Sequence, residues 1–232
     1  LLHTSTDSKK TLEDVVENRF GRYIGLKDSN IANALGMKRN NPNLKNYYNV
    51  LSKLILINSE DLEIEEFDKA GITTRSIRVT NEKKIIESVS YNSIPYEDIF
   101  AYTWEESEFK SQLELKQLFI FYRGDKRGNR VLEKAILYTL PNKHIDIARD
   151  VYKQVRNTIR SGEIVRGVNK GRRSTNFPKK KDNLVAHFRP HARNANDSYK
   201  LPVRDKLTGL DEYTKYSFWL NNDYILRYIY KS

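Results

Sequence analysis

The sequence predicts an α/β fold of the α+β type, a central mixed, largely antiparallel sheet flanked by helices. Three observations predict it. Apolar residues recur at helical spacing early in the chain and again between residues 145 and 160. The middle carries short runs rich in β-branched and aromatic residues, separated by turn-forming stretches. Two of those runs, Gln117 to Arg123 and Val131 to Leu140, flank Gly124-Asp125-Lys126-Arg127-Gly128-Asn129 and read as a hairpin.

Taken in order, residues 1–10 are polar and are expected to be a disordered end. Residues 11–232 are expected to form one domain, with a helical part over 11–60 and a sheet core over 61–232. Thr11 to Tyr23 reads as a helix, capped by Thr11 and buried through Leu12, Val15, Val16 and Phe20. Ser29 to Leu35 reads as a short helix stopped at Gly36, and Asn46 to Ile57 as a longer one. Gly71 to Val79 is β-prone, and Ile85 to Tyr91 is its expected hairpin partner across Asn81-Glu82-Lys83-Lys84. Ile94 to Phe100 is a weaker strand because Pro95 has no N–H to donate. Trp104 to Lys116 reads as helical. After the central hairpin, closed by Pro141, a helix over 145–160 buries Ala148, Val151, Tyr152, Val155 and Ile159, and Gly162 ends it.

Charge bounds the partner. Lys and Arg number 41 against 30 Asp and Glu, a formal charge of +11. That excess favours a polyanion, most simply nucleic acid. With no cysteine, the chain has no disulfide, no zinc–thiolate site and no cysteine nucleophile. No apolar run has the length of a membrane span and no signal peptide is visible, so a cytoplasmic protein is expected. The start at Leu1 rather than at methionine suggests a piece of a longer chain. Between Arg166 and Lys181 there is no acidic residue. This stretch reads as a flexible arm or long loop, with Arg172, Arg173, Lys179 and Lys180 placed to lie along phosphates.

Two C-terminal phrases carry the most information. The first is Leu184-Val185-Ala186-His187-Phe188-Arg189-Pro190-His191-Ala192-Arg193-Asn194. The second is Lys215-Tyr216-Ser217-Phe218-Trp219-Leu220-Asn221-Asn222-Asp223-Tyr224-Ile225. Each begins as an apolar, β-prone run and then presents basic and amide side chains. Pro190 is expected to end strand pairing and leave Arg189 at a strand-to-loop corner. Arg pairs with two acceptors on guanine, and Asn with two groups on adenine. His187, Arg189, Pro190, His191, Arg193 and Asn194 are therefore candidate base readers, joined by Lys215, Tyr216, Asn221 and Asn222. Equally, such residues are compatible with an ordinary solvated loop. A zinc site on His187 and His191 is disfavoured without further soft ligands.

In their order of elements and in these two phrases, the residues resemble the MutH-like endonucleases. That group joins a mismatch-repair nickase with type II restriction enzymes that cut at GATC. The likeness runs from about Thr11 to Ile229. It is strongest to the C-terminal half of a GATC-specific enzyme built of two such halves. The resemblance implies the MutH-like restriction-endonuclease fold and a catalytic strand carrying Asp, Glu and Lys around Mg²⁺. On this sequence those positions fall on Glu66, Thr73 and Arg75. Thr73 is a neutral substitute for a carboxylate. Arg75 stays charged and so cannot act as a base. The resemblance thus implies a chain with no intact catalytic set and no metal of its own, Mg²⁺ belonging to the full-length enzyme. It implies a non-catalytic, allosteric effector domain that binds GATC in double-stranded DNA beside an N-terminal catalytic domain of the same chain. Two other readings stay open. One is an active Mg²⁺-dependent endonuclease whose site is rebuilt from Glu60, Asp61, Glu63, Glu65 or Asp68. The other is a nucleic-acid-binding domain without sequence preference.

Overall fold

Thr11 opens the first helix with a reciprocal cap. Its Oγ1 accepts from the Asp14 amide at 3.1 Å, while the Asp14 carboxylate accepts from the Thr11 amide at 2.8 Å. The computed structural model describes residues 11–38, 41–42, 46–57, 71–125, 129–194 and 196–232. The N-terminal end over 1–10 and the acidic run from Glu60 to Asp68, Glu66 included, lie outside the described residues. By their contacts the residues fall into two units, Leu1–Ile86 with Lys116–Tyr138, and Glu87–Leu115 with Thr139–Ser232.

The first unit holds helices α1 (Leu12–Gly21), α2 (Asp28–Ala34) and α3 (Tyr47–Ile57) and strands β1 (Thr73–Val79), β3 (Gln117–Gly124) and β4 (Arg130–Tyr138). All three helices stand where the sequence places them. The order in the sheet is β1-β3-β4. β3 runs parallel to β1 and antiparallel to β4, with a register shift between Phe121 and Tyr122. Every residue of β3 from Gln117 to Tyr122 is buried. A strand that is apolar on both faces belongs in the middle of a sheet, with a neighbour on each edge. Alternate residues Leu118, Ile120 and Tyr122 pack with Val15, Phe20, Ile31, Leu51 and Ile55 of the helices. Two polar clusters sit inside this core. Tyr48 Oη donates to Asp28 Oδ2 at 2.8 Å, and Ser52 Oγ lies 2.9 Å from both Ser76 Oγ and Tyr122 Oη.

The demand of β3 for a second neighbour corrects one expectation. Ile85 to Tyr91 does not return as a hairpin on β1. Only a single bridge joins Val79 to Ile85, beyond a tight turn in which Lys83 takes a positive φ of 57°. Val89–Ser90 forms β2 and pairs with a C-terminal strand of the second unit instead.

The second unit contains β2, helices α4 (Tyr96–Ala101), α5 (Glu108–Glu114) and α6 (Asn142–Ser161), and strands β5 (Val165–Asn169), β6 (Arg172–Thr175), β7 (Ala186–Pro190), β8 (Ser198–Lys200), β9 (Glu212–Thr214) and β10 (Tyr216–Leu220). It closes with α7 (Asn222–Ile225) and a π-helical turn, Leu226–Tyr230. The weak strand expected over 94–100 is helix α4. Pro95 stands just before its first residue, where a missing N–H is harmless, and Tyr96 and Ile99 bury one side. Helix α6 buries the expected stripe and adds His144 and Ile145 at its start. Gly162 caps it at φ 66°. A Cβ there would meet the Arg204 carbonyl oxygen at 2.6 Å, so both backbone and space require glycine. The sheet of this unit is antiparallel, in the order β2-β10-β7. The α/β class and mostly antiparallel pairing stand as expected, but among the described residues the strands form two three-stranded sheets and two separate two-stranded pairs rather than one central sheet.

The basic stretch is not a free arm. β5 and β6 pair across Lys170 and Gly171, both with positive φ, as a two-residue hairpin turn requires. Phe177 then returns to the interior, 2% exposed, against Phe188 at 4.9 Å and Tyr216 at 5.2 Å between ring centres. One aromatic side chain anchors a stretch whose composition alone suggests a linker.

Candidate nucleic-acid interface

β7 and β10 bring the two phrases side by side. Their register pairs Ala186 with Leu220, His187 with Trp219, Phe188 with Phe218, Arg189 with Ser217 and Pro190 with Tyr216. Alternation along a strand then sorts the side chains. Phe188, Phe218 and Tyr216 fall on the face turned to the core. His187, Arg189, Ser217 and Trp219 fall on the other, and His191 continues it. β7 ends at Pro190, as expected, and the His191 amide donates just beyond it to the Lys215 carbonyl at 2.9 Å, so Pro190 stands at a non-hydrogen-bonded pair where a missing N–H costs the ladder nothing.

On that outer face the Arg189 guanidinium carbon lies 3.8 Å from the centre of the Trp219 ring. The indole face attracts the cation and fixes the planar fork in one orientation. Partial burial lowers the Arg189 pKa, and the negative charge of Glu87 opposes that shift. The guanidinium remains charged at neutral pH. The His191 ring meets the edge of the same indole at 5.1 Å, and its Nδ1 lies 3.0 Å from Ser217 Oγ. Ser217 is buried and holds Ser93 Oγ at 2.7 Å on its other side. Arg189 and His191 therefore stand exposed, two residues apart, on a rigid aromatic and hydroxyl footing.

Arg193 and Asn194 lie on the loop that follows, both exposed. Asn194 turns its own Oδ1 to the Asn196 amide at 3.0 Å, and its carbonyl accepts from the Asp197 amide at 3.2 Å. Lys215, at the head of the second phrase, reaches this loop: its Nζ is 2.5 Å from Asp197 Oδ1 and 4.7 Å from the centre of the Tyr199 ring.

Four of the expected readers are buried. His187 is 4% exposed, and its Nδ1 lies 2.6 Å from Asn221 Oδ1. Asn221 Nδ2 donates to the carbonyls of Asn183 at 2.7 Å and Leu184 at 3.2 Å, so its Oδ1 faces His187 as an acceptor. The His187 proton therefore sits on Nδ1. Desolvation lowers the pKa of this ring, which keeps it neutral. Asn222 is joined to Ser88: its backbone amide donates to Ser88 Oγ at 3.2 Å, and its Oδ1 accepts from Ser88 Oγ at 3.4 Å. Tyr216 lies in the aromatic cluster with Phe177, Tyr213 and Phe188. The side chains of these four are engaged within the unit, at the ends of the two strands.

The basic hairpin lies in the same unit. Arg172 and Arg173 are exposed on β6, with Arg173 stacked 4.9 Å from the centre of the Tyr213 ring. Lys179 is exposed, and Lys180 is paired with Asp223 at 2.7 Å.

Thr73 and Arg75 belong to the first unit. Thr73 begins β1 opposite Gln117, and Arg75 Nε donates to Gln117 Oε1 at 3.2 Å. A groove of about 700 Å³ borders Thr73 and Thr74 and is lined by Asn46, Asn49, Lys53 and Arg19. Among the described residues lining it there is no carboxylate. Nor do the described residues contain any group of three or more His, Cys, Asp or Glu able to hold a metal ion. None of their helices is long and apolar enough to cross a membrane.

Over 95% of its length the chain is similar, at 25% identity, to the type II restriction enzyme Sau3AI of Staphylococcus aureus. It spans about half of that enzyme's length, 52%. No family model matches the chain. The similarity to Sau3AI covers both units, so it includes the Thr73–Arg75 strand as well as the paired β7 and β10.

Two residues of this surface were not singled out from the sequence, Trp219 on β10 and Asp197 on the loop after β7. For Trp219 the missing signal was register: only the pairing of β7 with β10 sets the indole beneath Arg189. For Asp197 it was loop closure, which spacing alone does not encode.

Proposed function

We propose that the chain binds double-stranded DNA at GATC, as the non-catalytic effector domain of a type II restriction endonuclease. The observation that carries this reading is the outer face of β7 and β10, where Arg189 is stacked on Trp219 beside His191. A stacked, charged guanidinium at a strand exit offers the planar donor pair that matches guanine O6 and N7. Exposed cations on β6 and at Lys179 supply sequence-independent phosphate contacts. The likeness to Sau3AI supports the class, and the span of half that enzyme fits one of two halves. Thr73 and Arg75, where a nuclease of this kind needs a carboxylate and a lysine, support the effector role. In this reading the catalytic partner is an N-terminal MutH-like domain, which uses Mg²⁺, and the setting is the cytoplasm.

The test is binding and cleavage of paired duplexes, one with GATC and one scrambled, with Mg²⁺ present. The expected result is preferential binding of the GATC duplex and no cleavage. Specific double-strand cuts by this chain, lost on Glu66→Ala, would replace the effector reading with that of a nuclease having a rebuilt site.

The phosphate contribution gives a separate expectation. Replacing Arg172, Arg173 and Lys179 together by glutamine should weaken binding to both duplexes alike. The slope of log affinity against log salt should flatten by about one for each phosphate contact removed. Lys180, already paired with Asp223, should add less. A salt titration that leaves the slope unchanged would show these cations to be merely solvated.

A further inference from the structure

Resting on the reading of this face as a DNA contact, we propose that Asp197 is the positioning residue of the recognition loop. It holds residues 191–194 in the shape that meets DNA and keeps Lys215 off the phosphates.

A carboxylate beside a DNA-facing surface ordinarily repels phosphate and weakens binding. Here it is enclosed, with its side chain only 10% exposed. Oδ2 accepts from the Arg193 amide at 3.0 Å and lies 3.5 Å from Arg193 Nε, while Oδ1 takes the Lys215 ammonium at 2.5 Å. Its main chain closes the same circuit. The Asp197 amide donates to the Asn194 carbonyl at 3.2 Å, and the Lys215 amide donates to the Asp197 carbonyl at 3.0 Å. The His191 amide in turn donates to the Lys215 carbonyl at 2.9 Å. One residue therefore touches the loop of the first phrase and the head of the second. The amide of Arg193 and the ammonium of Lys215 hold the carboxyl down to about 2, so it stays charged through the working range of pH. The Arg193 side chain itself is left 88% exposed and available to DNA.

Two effects of opposite sign follow. A loop closed before binding loses less freedom when it docks, which favours the specific complex. A Lys215 already neutralised attracts phosphate less, which disfavours every complex. A residue that merely stabilises the fold would not separate these effects.

The experiment compares the whole chain with Asp197→Asn and Asp197→Glu on the GATC and scrambled duplexes across a range of salt. Asp197→Asn should bind the scrambled duplex more tightly, about three-fold at low salt, with a salt slope steeper by about one as Lys215 is released. Its preference for GATC should fall about five-fold or more, as the loop loses its closure. Hydrogen exchange at the Arg193 amide should quicken in the unbound variant. Asp197→Glu, which keeps the charge, should retain the wild-type salt slope and recover part of the preference. If Asp197→Asn leaves both affinities unchanged, or lowers both in parallel, the inference is overturned. Equal binding of the two duplexes by the wild-type chain would overturn the reading of the face itself, and this inference with it.

Discussion

Replacing Phe218 by alanine is expected to destabilise the second unit by about 3–5 kcal/mol, the range for deleting a buried aromatic ring. Phe218 sits at the centre of β10 with no exposed surface. Its ring stacks on Phe109 with centres 4.0 Å apart and planes inclined by 11°. It also meets Phe188 of the paired strand at 4.7 Å and Tyr152 of α6 at 5.9 Å. The side chain thus joins α5, α6, β7 and β10, and few neighbours are free to collapse into the space it leaves. Its carbonyl accepts from the Tyr91 amide at 2.9 Å, a bond the variant keeps, so the loss belongs to packing. Phe218→Leu should lose less, because a branched aliphatic side chain refills part of the volume. Urea unfolding followed by circular dichroism measures both. A loss below about 1 kcal/mol for the alanine variant would mean that the ring is not a keystone of this core.

How far the chain was legible in its sequence can be read from such residues. Helix α6 was legible because its stripe is periodic and Gly162 ends it, and local pattern and tertiary need agree there. The β3–β4 hairpin was legible for the same reason. The parallel pairing of β1 with β3 was not. A turn signal at residues 81–84 argues for a local hairpin, whereas the partner that wins is distant in sequence and identified only by its double-sided apolar face. Pro95 misled because its missing N–H argues equally against a central strand and for a helix start. At the candidate site, residue chemistry singled out the two phrases that pair as β7 and β10, but not which of their side chains are exposed. Asn221 and Asn222 have the groups that read adenine, yet the Asn221 side chain is engaged with Asn183, Leu184 and His187, and Asn222 Oδ1 accepts from Ser88 Oγ at 3.4 Å. Composition reports what a side chain is able to bind. Burial and register decide whether it is offered, and both depend on pairings across the chain.

Replacing Arg189 by alanine is expected to lower the preference for GATC over a scrambled duplex by about ten-fold or more. A bidentate arginine–guanine pair contributes about 1–3 kcal/mol of discrimination, and about 1.4 kcal/mol is ten-fold in affinity. Non-specific binding should change less, because the cations of β6 and Lys179 still meet phosphate. Arg189→Lys should restore only part of the preference, since an ammonium lacks the planar fork and stacks less well on an indole. The competing role for Arg189 is structural, through its contact with Trp219 at 3.8 Å. Magnitudes separate the two. A cation–π contact at a partly exposed site contributes about 0.5–1 kcal/mol to stability, which would lower the melting temperature by a few degrees and weaken both complexes equally. Loss of base reading lowers one affinity and spares the other. Trp219→Leu then tests the footing itself. With the guanidinium kept but its platform removed, the GATC preference should fall part of the way toward that of Arg189→Ala, while the salt slope stays at the wild-type value because no phosphate contact is lost. A melting curve with a two-duplex titration on all three variants decides the matter. Parallel loss of both affinities in Arg189→Ala, with lowered melting, would assign the residue to the fold and remove it from the recognition surface.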